Sequence, residues 1–541
     1  MFDYVIAGGG TAGCVLANRL SEDPGVKVCL LEAGPADRHP LIHAPIGILW
    51  MMRSKVLNWN FETEAEPALG GRRLFWPRGR TLGGSSSSNA MCYIRGHAQD
   101  YDEWAALGNR GWSFAEVLPY FKRSEHQERG ASAFHGVGGP LNVADARSPN
   151  ELSHVFTQAC AEVGVPVNQD FNGAEQEGAG LYQVMQKEGR RCSAARGYLD
   201  PARSRPNLTI ITEAHTCRVI FEGTQAVGVE YQKDGQRHTA RAKQEVLLAA
   251  GVMQSPQLLM LSGVGPRETL QKLNIPVVTH LPGVGQNLQD HLDVTMVHAC
   301  TQAVSYGITW RTVAAGLPNW FRYLTAGKGM FTSNGAEATA FIKSTPDEAV
   351  PDLQFQFVPA RMRNHGLDFG YLCGDGYSLH VCQLRPRSRS EVTITSTDPL
   401  QPVSISPRFL SHPDDLETML KGVKWIRKIM GAHAFDAYRG VNMVPGDHVT
   451  SDDDLRQFIR DKAESIYHPV GTCKMGHDAL AVVDDELRVH GLQGLRVVDA
   501  SVMPLLVGGN TTAPTVMIAE KASDLIKASA RQAGMSTASV N

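Results

Sequence analysis

The sequence predicts an α/β fold, α+β overall, with a nucleotide-binding unit assembled from distant segments and a sheet-rich unit inserted mainly around residues 300–460. Three observations predict it. The opening FDYVIAGGGTAGCVLANRL reads as strand, glycine turn and helix. Strand-like runs return far downstream in KQEVLLAAGVMQSPQLLMLSGVG and LRVVDASVMP. Between them LQFQFV, HVCQLR, EVTITS and PVSIS alternate apolar and polar residues, as half-buried antiparallel strands do.

FDYVIA is almost continuously apolar, the pattern of a parallel strand buried on both faces. Gly8, Gly10 and Gly13 then form G-x-G-x-x-G. Gly8 and Gly10 allow a tight turn and close approach of backbone to a pyrophosphate, and Gly13 lets the helix lie against the strand. The helix begins near Thr11 and Ala12, expected ligand contacts, with Ala12, Leu16 and Leu20 on one face. EDPG ends it, VKVCLLE supplies the next buried strand, and Glu32 closes that strand where a carboxylate accepts ribose hydroxyls. This is a βαβ unit of about thirty residues. FAD and NAD share the fingerprint. No second strand–G-x-G-x-x-G–helix unit is present, so either NAD is the sole cofactor, or flavin is and its electrons leave by a route other than a nicotinamide.

With 541 residues, 43% of them hydrophobic, the chain is expected to form two domains. A net charge of −3 argues against nucleic acid as a partner; the basic stretches GRRLFWPRGR and RPRSRS read as solvated loops or small-anion contacts. No apolar run reaches the ~18 residues of a spanning helix. A strand starting at Phe2 leaves no room for a leader, so a cytoplasmic location is expected. The ten cysteines are scattered without C-x-x-C or zinc spacing, and they predict reduced thiols and no metal. A polar end after about Ser529 is expected to fray.

Four further stretches decide the cofactor. GRTLGGSSSSNAMCYIRG (Gly79–Gly96), GVMQSPQLLMLSGVG (Gly251–Gly265), YHPVGTCKMG (Tyr467–Gly476) and VVDASVMPLLVGGNTTAPTVMIAEKA (Val497–Ala522) follow the N-terminal motif in order. Together they closely resemble the glucose–methanol–choline (GMC) oxidoreductase family, from about Phe2 to Ile526. Within it the likeness is greatest to bacterial membrane-associated alcohol dehydrogenases of alkane degradation, then to choline dehydrogenase. The resemblance implies FAD, a Rossmann-like FAD-binding domain and a substrate domain with a large antiparallel sheet. The expected division is 1–155, 201–298 and 466–541 for FAD, with 156–200 and 299–465 for substrate.

The same resemblance implies a catalytic base at His468 and a partner at Asn510 that holds the alcohol oxygen against flavin N5. Hydride leaves a carbinol carbon easily only if the hydroxyl proton also departs, and a neutral imidazole takes that proton near neutral pH. The other histidines, among them His43, His291 and His490, read as ordinary core or surface residues. Asp499 and Ala500 correspond to the loop near the FAD diphosphate and ribityl chain. Gly83, Asn89 and Met91 lie in the loop lining the isoalloxazine, and Val219 matches a strand residue that meets the adenine through its backbone. Thr511 and Thr512 precede Pro514, with Thr512 the expected N-cap of a helix whose positive end faces the flavin N1/C2 carbonyl. Ser88 stands where some relatives carry a histidine bonded to flavin, so FAD is expected to be non-covalent.

Glu337 matches a glutamate that faces the quaternary ammonium in choline-oxidising relatives, and Trp59 and Tyr467 are the visible aromatic candidates for such a site. A non-cationic primary alcohol is favoured over choline. Electrons are expected to pass to a quinone or other non-nicotinamide acceptor; an oxygen-using oxidase is the further alternative. The apolar Pro40–Met52 reads either as a buried connection between domains or as a flap over the active-site entrance that touches a membrane surface or quinone, and association with the inner face of the cytoplasmic membrane is the alternative to a purely cytoplasmic location. The oligomeric state is left open.

Overall fold

The structure is a computed structural model that describes residues 1–538. Phe2–Ala7 lies at the centre of the first sheet, hydrogen-bonded in parallel to Val28–Leu31 on one side and to the end of Gln236–Leu248 on the other. Leu208–Ile211 extends the sheet beyond Val28–Leu31, and Leu495–Val497 pairs in parallel with Gln236–Leu248. The first half of that long strand turns away into an antiparallel ribbon with Gln225–Lys233 and His215–Glu222. Pieces almost five hundred residues apart in sequence thus share one sheet.

Gly8 has φ +106°, and a Cβ on Gly13 would sit 1.9 Å from the Gly8 carbonyl oxygen. Any side chain at position 13 would drive the helix Thr11–Leu20 off its strand. That helix is buried on nearly every side, leaving only Thr11 and Arg19 partly exposed, rather than on the single stripe its sequence suggests. The helix Thr512–Ala538 covers the remaining faces. Glu520 of the covering helix is fully buried and accepts from Arg19 (2.8 Å), Arg123 (2.7 Å) and the Tyr198 hydroxyl (2.7 Å). A buried carboxylate is tolerable only when so surrounded, and here it fastens the C-terminal helix to the nucleotide turn. The helix continues through Ala538, so the fraying expected from Ser529 does not begin there.

A second sheet is wholly antiparallel, in the order Arg439–Val444, Leu292–Cys300, Gly376–Gln383, Leu353–Val358, Ala338–Ile342, Gly178–Leu181. The helices Pro413–Met430 and Glu151–Glu162 pack on one face through Leu420, Val423, Phe156 and their neighbours. LQFQFV was expected to be half-exposed, yet all six residues of Leu353–Val358 are buried. Its glutamines face the interior of the site, described below, instead of solvent. EVTITS and PVSIS contribute Glu391–Thr393 and Ser404–Ser406, which pair with each other as a separate two-stranded unit and not with the large sheet.

Candidate active site

Two cavities adjoin where the sheets meet, and Arg78, Ser85, Thr511 and Thr512 line both. The first follows the opening motif. Gly8, Gly10, Thr11, Ala12, Glu32, Asp499, Ala500, Thr511 and Thr512 all line it. Nothing lies within 3.8 Å of the position a Gly10 Cβ would take, so the backbone there is open to a ligand. Glu32 accepts from the N–H groups of Gly9 (2.9 Å) and Gly34 (2.7 Å), and burial pushes its carboxyl up to about 7. Asp499 accepts from the Gly251 N–H (2.9 Å), the Ser255 hydroxyl (2.6 Å) and the Ser501 N–H (2.8 Å), which fixes the loop between strand and helix.

Several expected residues act from elsewhere. Gly13 lies behind the turn as a packing residue. Gly83, at φ +87°, donates its N–H to the Gly9 carbonyl, while its neighbour Gly84 lines the cavity. Val219 is off the lining and donates its N–H to Ser262 (2.7 Å); Thr216 and His215, at the start of the same strand, line the cavity instead. Nothing in the run HTCRVIFE marks which of its residues reaches the cavity. Thr512 is already helical, so Thr511 takes the N-cap position, its carbonyl accepting from the Thr515 N–H (3.1 Å). The Thr512 hydroxyl accepts from Asn89 (2.9 Å), and the Asn89 amide oxygen accepts from the Met91 N–H (3.0 Å) and Arg191 (2.9 Å). Asn89 and Met91 line the second cavity only.

The second cavity is mainly apolar, walled by Ile46, Leu49, Met51, Met91, Val358 and Leu372 among others. His468 and Asn510 meet on its wall, His468 Nε2 3.0 Å from Asn510 Nδ2. The Asn510 Oδ1 accepts from Gln354 Nε2 (3.2 Å), which aims the Asn510 amide nitrogen at the imidazole. On the other side His468 Nδ1 is 3.0 Å from Nδ1 of His291, whose Nε2 donates to the Leu384 carbonyl (3.2 Å). These contacts assign the protons. His291 spends its Nε2–H on a carbonyl, so its Nδ1 is a bare acceptor. His468 must then carry its proton on Nδ1 and present a bare Nε2 to the cavity. Burial holds His291 down at about 3 and takes His468 well below 6.5, with His291 and Arg78 adding to the shift on His468.

The backbone at this point is strained. Tyr467 sits at φ 71°, a left-handed conformation uncommon for a bulky residue. Three contacts hold it: Ser465 Oγ accepts from the Tyr467 N–H (2.8 Å), Arg78 donates to the Tyr467 carbonyl (2.6 Å), and Asp290 accepts from the His468 N–H (2.7 Å). Arg78 is half-buried at the junction of the cavities with its Nε shut off from solvent and unpartnered, a cation available to a polar group that bridges them. His291, Arg78, Asp290, Gln354 and Thr216 are the site residues that sequence reasoning missed. Only Arg78 carried a local signal, its place in a basic stretch just ahead of the Gly79–Gly96 motif.

Glu337 does not line the cavity. It is buried and satisfied by the Asn150 N–H (2.6 Å) and the hydroxyls of Ser153 (2.8 Å) and Ser333 (2.6 Å). Trp59 lines the nucleotide cavity, leaving Tyr306 and Tyr467 as the aromatic rings of the second. No carboxylate lines that second cavity among the described residues. Asp293, His365 and His380 bring one ligand-type atom each within 4.8 Å of one another, a grouping that cysteine spacing does not reveal. His380 Nδ1 is 2.8 Å from Asp293 Oδ2, a hydrogen-bond length that places a proton between them.

Two models of the GMC oxidoreductase family match the chain, over residues 2–293 and 386–519. An alcohol dehydrogenase (acceptor) of Pseudomonas putida is 49% identical over 97% of this chain and 96% of its own. The mitochondrial choline dehydrogenase of Homo sapiens is 46% identical over 97% and 90%. Among solved structures, pyridoxine 4-oxidase from Mesorbium loti superposes with a TM-score of 0.88 at 31% identity, covering 97% of this chain and 99% of that one. An FAD-dependent oxidoreductase from Chaetomium thermophilum gives 0.90 at 28%, covering 98% and 100%.

Proposed function

The chain belongs to the GMC oxidoreductase family, and from that premise we infer an FAD-dependent alcohol dehydrogenase that converts a primary alcohol to an aldehyde and passes the electrons to a non-nicotinamide acceptor. The carrying observation is the bare His468 Nε2 beside the Asn510 amide on an apolar wall next to the nucleotide cavity. FAD fits the first cavity: the turn at Gly10 is open, the helix end at Thr512 faces it, and the unpartnered Arg78 Nε waits at its inner end. Bound there, FAD supplies the acceptor for the carbinol hydrogen and its electron pair.

The protein's own groups do the rest. An entering hydroxyl takes the place of the His468–Asn510 hydrogen bond, donating to His468 Nε2 while its oxygen accepts from Asn510 Nδ2. His468 takes the hydroxyl proton at Nε2 and keeps the other on Nδ1 against His291. Gln354 stops the Asn510 amide from turning over, and the apolar walls keep water away from the exchange. Ser88 offers no imidazole for a covalent flavin link, so the cofactor is non-covalent. The absence of a carboxylate from the cavity lining favours an uncharged alcohol over choline. Anaerobic mixing with a medium-chain primary alcohol should bleach the flavin band within a turnover, with choline far slower. A flavin that stays oxidised with every alcohol would overturn the reading.

The acceptor side carries a membrane contact in this proposal. No described helix is long and apolar enough to cross a bilayer. Leu317, Phe321 and Leu324 form an exposed stripe along Gly316–Ala326, and Trp310 and Val313 on the preceding helix, with Trp50 in the Pro40–Met52 segment, are exposed as well. Arg311, Arg322 and Lys328 rim the stripe, as suits an anionic lipid surface. Tyr323 points inward and reaches the His43 carbonyl, so the stripe adjoins the Pro40–Met52 segment, whose Ile48 and Leu49 line the substrate cavity. The double substitution Leu317→Ser with Phe321→Ser should lower binding to anionic vesicles about tenfold or more and reduce quinone-linked turnover while sparing a soluble dye. Unchanged vesicle binding removes the membrane contact.

A further inference from the structure

We propose that the substrate cavity contains a second hydroxyl-binding point, formed by Gln356 and His380, and that the preferred substrates are alcohols bearing another hydroxyl several carbons from the one oxidised. The inference rests on the alcohol-oxidising reading above and names its substrate class. Gln356 and His380 face each other across neighbouring strands, Leu353–Val358 and Gly376–Gln383. Both line the cavity and both are more than nine-tenths buried. Gln356 Nε2 and His380 Nε2 are also shut off from solvent with no hydrogen-bond partner. A buried polar atom left so is costly, and a pair on the wall of a binding cavity is paired when its ligand arrives.

The chemistry of the pair selects the ligand. Asp293 Oδ2 lies 2.8 Å from His380 Nδ1 and the Thr295 hydroxyl lies 2.7 Å from it, so the ring proton resides on Nδ1 and Nε2 is an acceptor. Gln356 Nε2 is a donor. One donor beside one acceptor is what a hydroxyl needs. A carboxylate would leave the imidazole acceptor unmatched and would approach Asp293 and Glu464, and an ammonium would leave the amide donor unmatched. His365 closes the point from above, its ring 5.6 Å from His380 and 4.8 Å from Tyr467. Burial holds it neutral, at about 4.

The strand itself sets the spacing. Gln354 bonds Asn510 at the reacting end, and Gln356 is the next residue on the same face, about 7 Å further along. A straight chain of about five carbons spans that interval with a hydroxyl at each end.

The test compares n-pentanol with the pentane α,ω-diol on the holoenzyme, using a soluble dye acceptor. After allowing for two equivalent ends, kcat/KM for the diol should exceed that for pentanol at least about tenfold, mainly through KM. In Gln356→Leu, checked for retained flavin absorbance, the ratio should fall to about unity. A wild-type ratio near unity overturns the second binding point whatever the variant does, and so does a ratio that survives in Gln356→Leu. If pentanol and the diol both fail to reduce the flavin, the alcohol-oxidising reading itself is lost, a result separable from equal use of the two.

Discussion

Replacing His468 by Ala should leave a yellow, folded protein whose flavin is reduced by alcohol about 10³-fold more slowly, or slower still. The imidazole contributes a general base and half of the clamp on the hydroxyl, so the loss falls on the reductive step and not on cofactor retention. His468 is buried behind the loop held by Asp290 and Arg78, and the nucleotide cavity is lined without it. Stopped-flow reduction under anaerobic conditions measures the step directly; a native rate in the variant would remove His468 from the chemistry. The pH profile carries the same assignment. The base works when neutral, and burial together with His291 and Arg78 places its titration well below 6.5. In the wild type kcat/KM should therefore be flat from neutral pH down past that value and fall only on further acidification. An acid limb centred at or above 6.5 contradicts the buried, depressed imidazole.

The second large effect is expected at His291, a positioning residue. Its bare Nδ1 is the acceptor that keeps the His468 proton on Nδ1. In His291→Leu that acceptor is gone, His468 is free to carry its proton on Nε2, and the cavity then meets a donor where a base is required. A catalytic histidine held in the wrong tautomer costs about 10⁴ in kcat in the serine-protease triad. Here, with the Nε2 site still offered Asn510 as a donor, a loss of about 10²-fold or more in kcat is expected. KM should change little, because the hydroxyl clamp at Asn510 persists. His291→Gln, whose amide oxygen can accept the same proton, should recover part of kcat. A merely structural role would move flavin content or thermal stability in both variants alike, and equal kcat losses in the Leu and Gln variants would reject the tautomer argument.

The parts of the protein dictated by local sterics and patterning were open to reading in one dimension. Gly8 and Gly13 sit where only glycine avoids a backbone collision, Gly10 leaves the turn open between them, and the flanking apolar runs have to be a buried strand and helix. Glu32 follows from the length of that unit. The histidine base and its asparagine emerged only through the motifs around them, because a lone histidine among nineteen has no local signature. Alternation in LQFQFV was read as one wet face and one dry face, and the period was right. The polar face was turned toward Asn510 and the substrate cavity, a choice made by what packs over the sheet and not by the strand.

The sequence by itself determined a dinucleotide turn, a chain rich enough in apolar residues to bury two sheets, and the side chains available for proton transfer. Only the tertiary structure decided which of them act together. His291 and His468 are 177 positions apart, yet a 3.0 Å contact between them selects the nitrogen that carries the proton. Glu337, matched by position, was withdrawn into a nest of donors, while Gln356 and His380, which nothing in their neighbourhood marks, reached the cavity wall. Backbone sterics act between near neighbours and leave their record in the sequence, whereas proton placement, burial and hydrogen-bond partnership arise between segments that meet only when the sheets close.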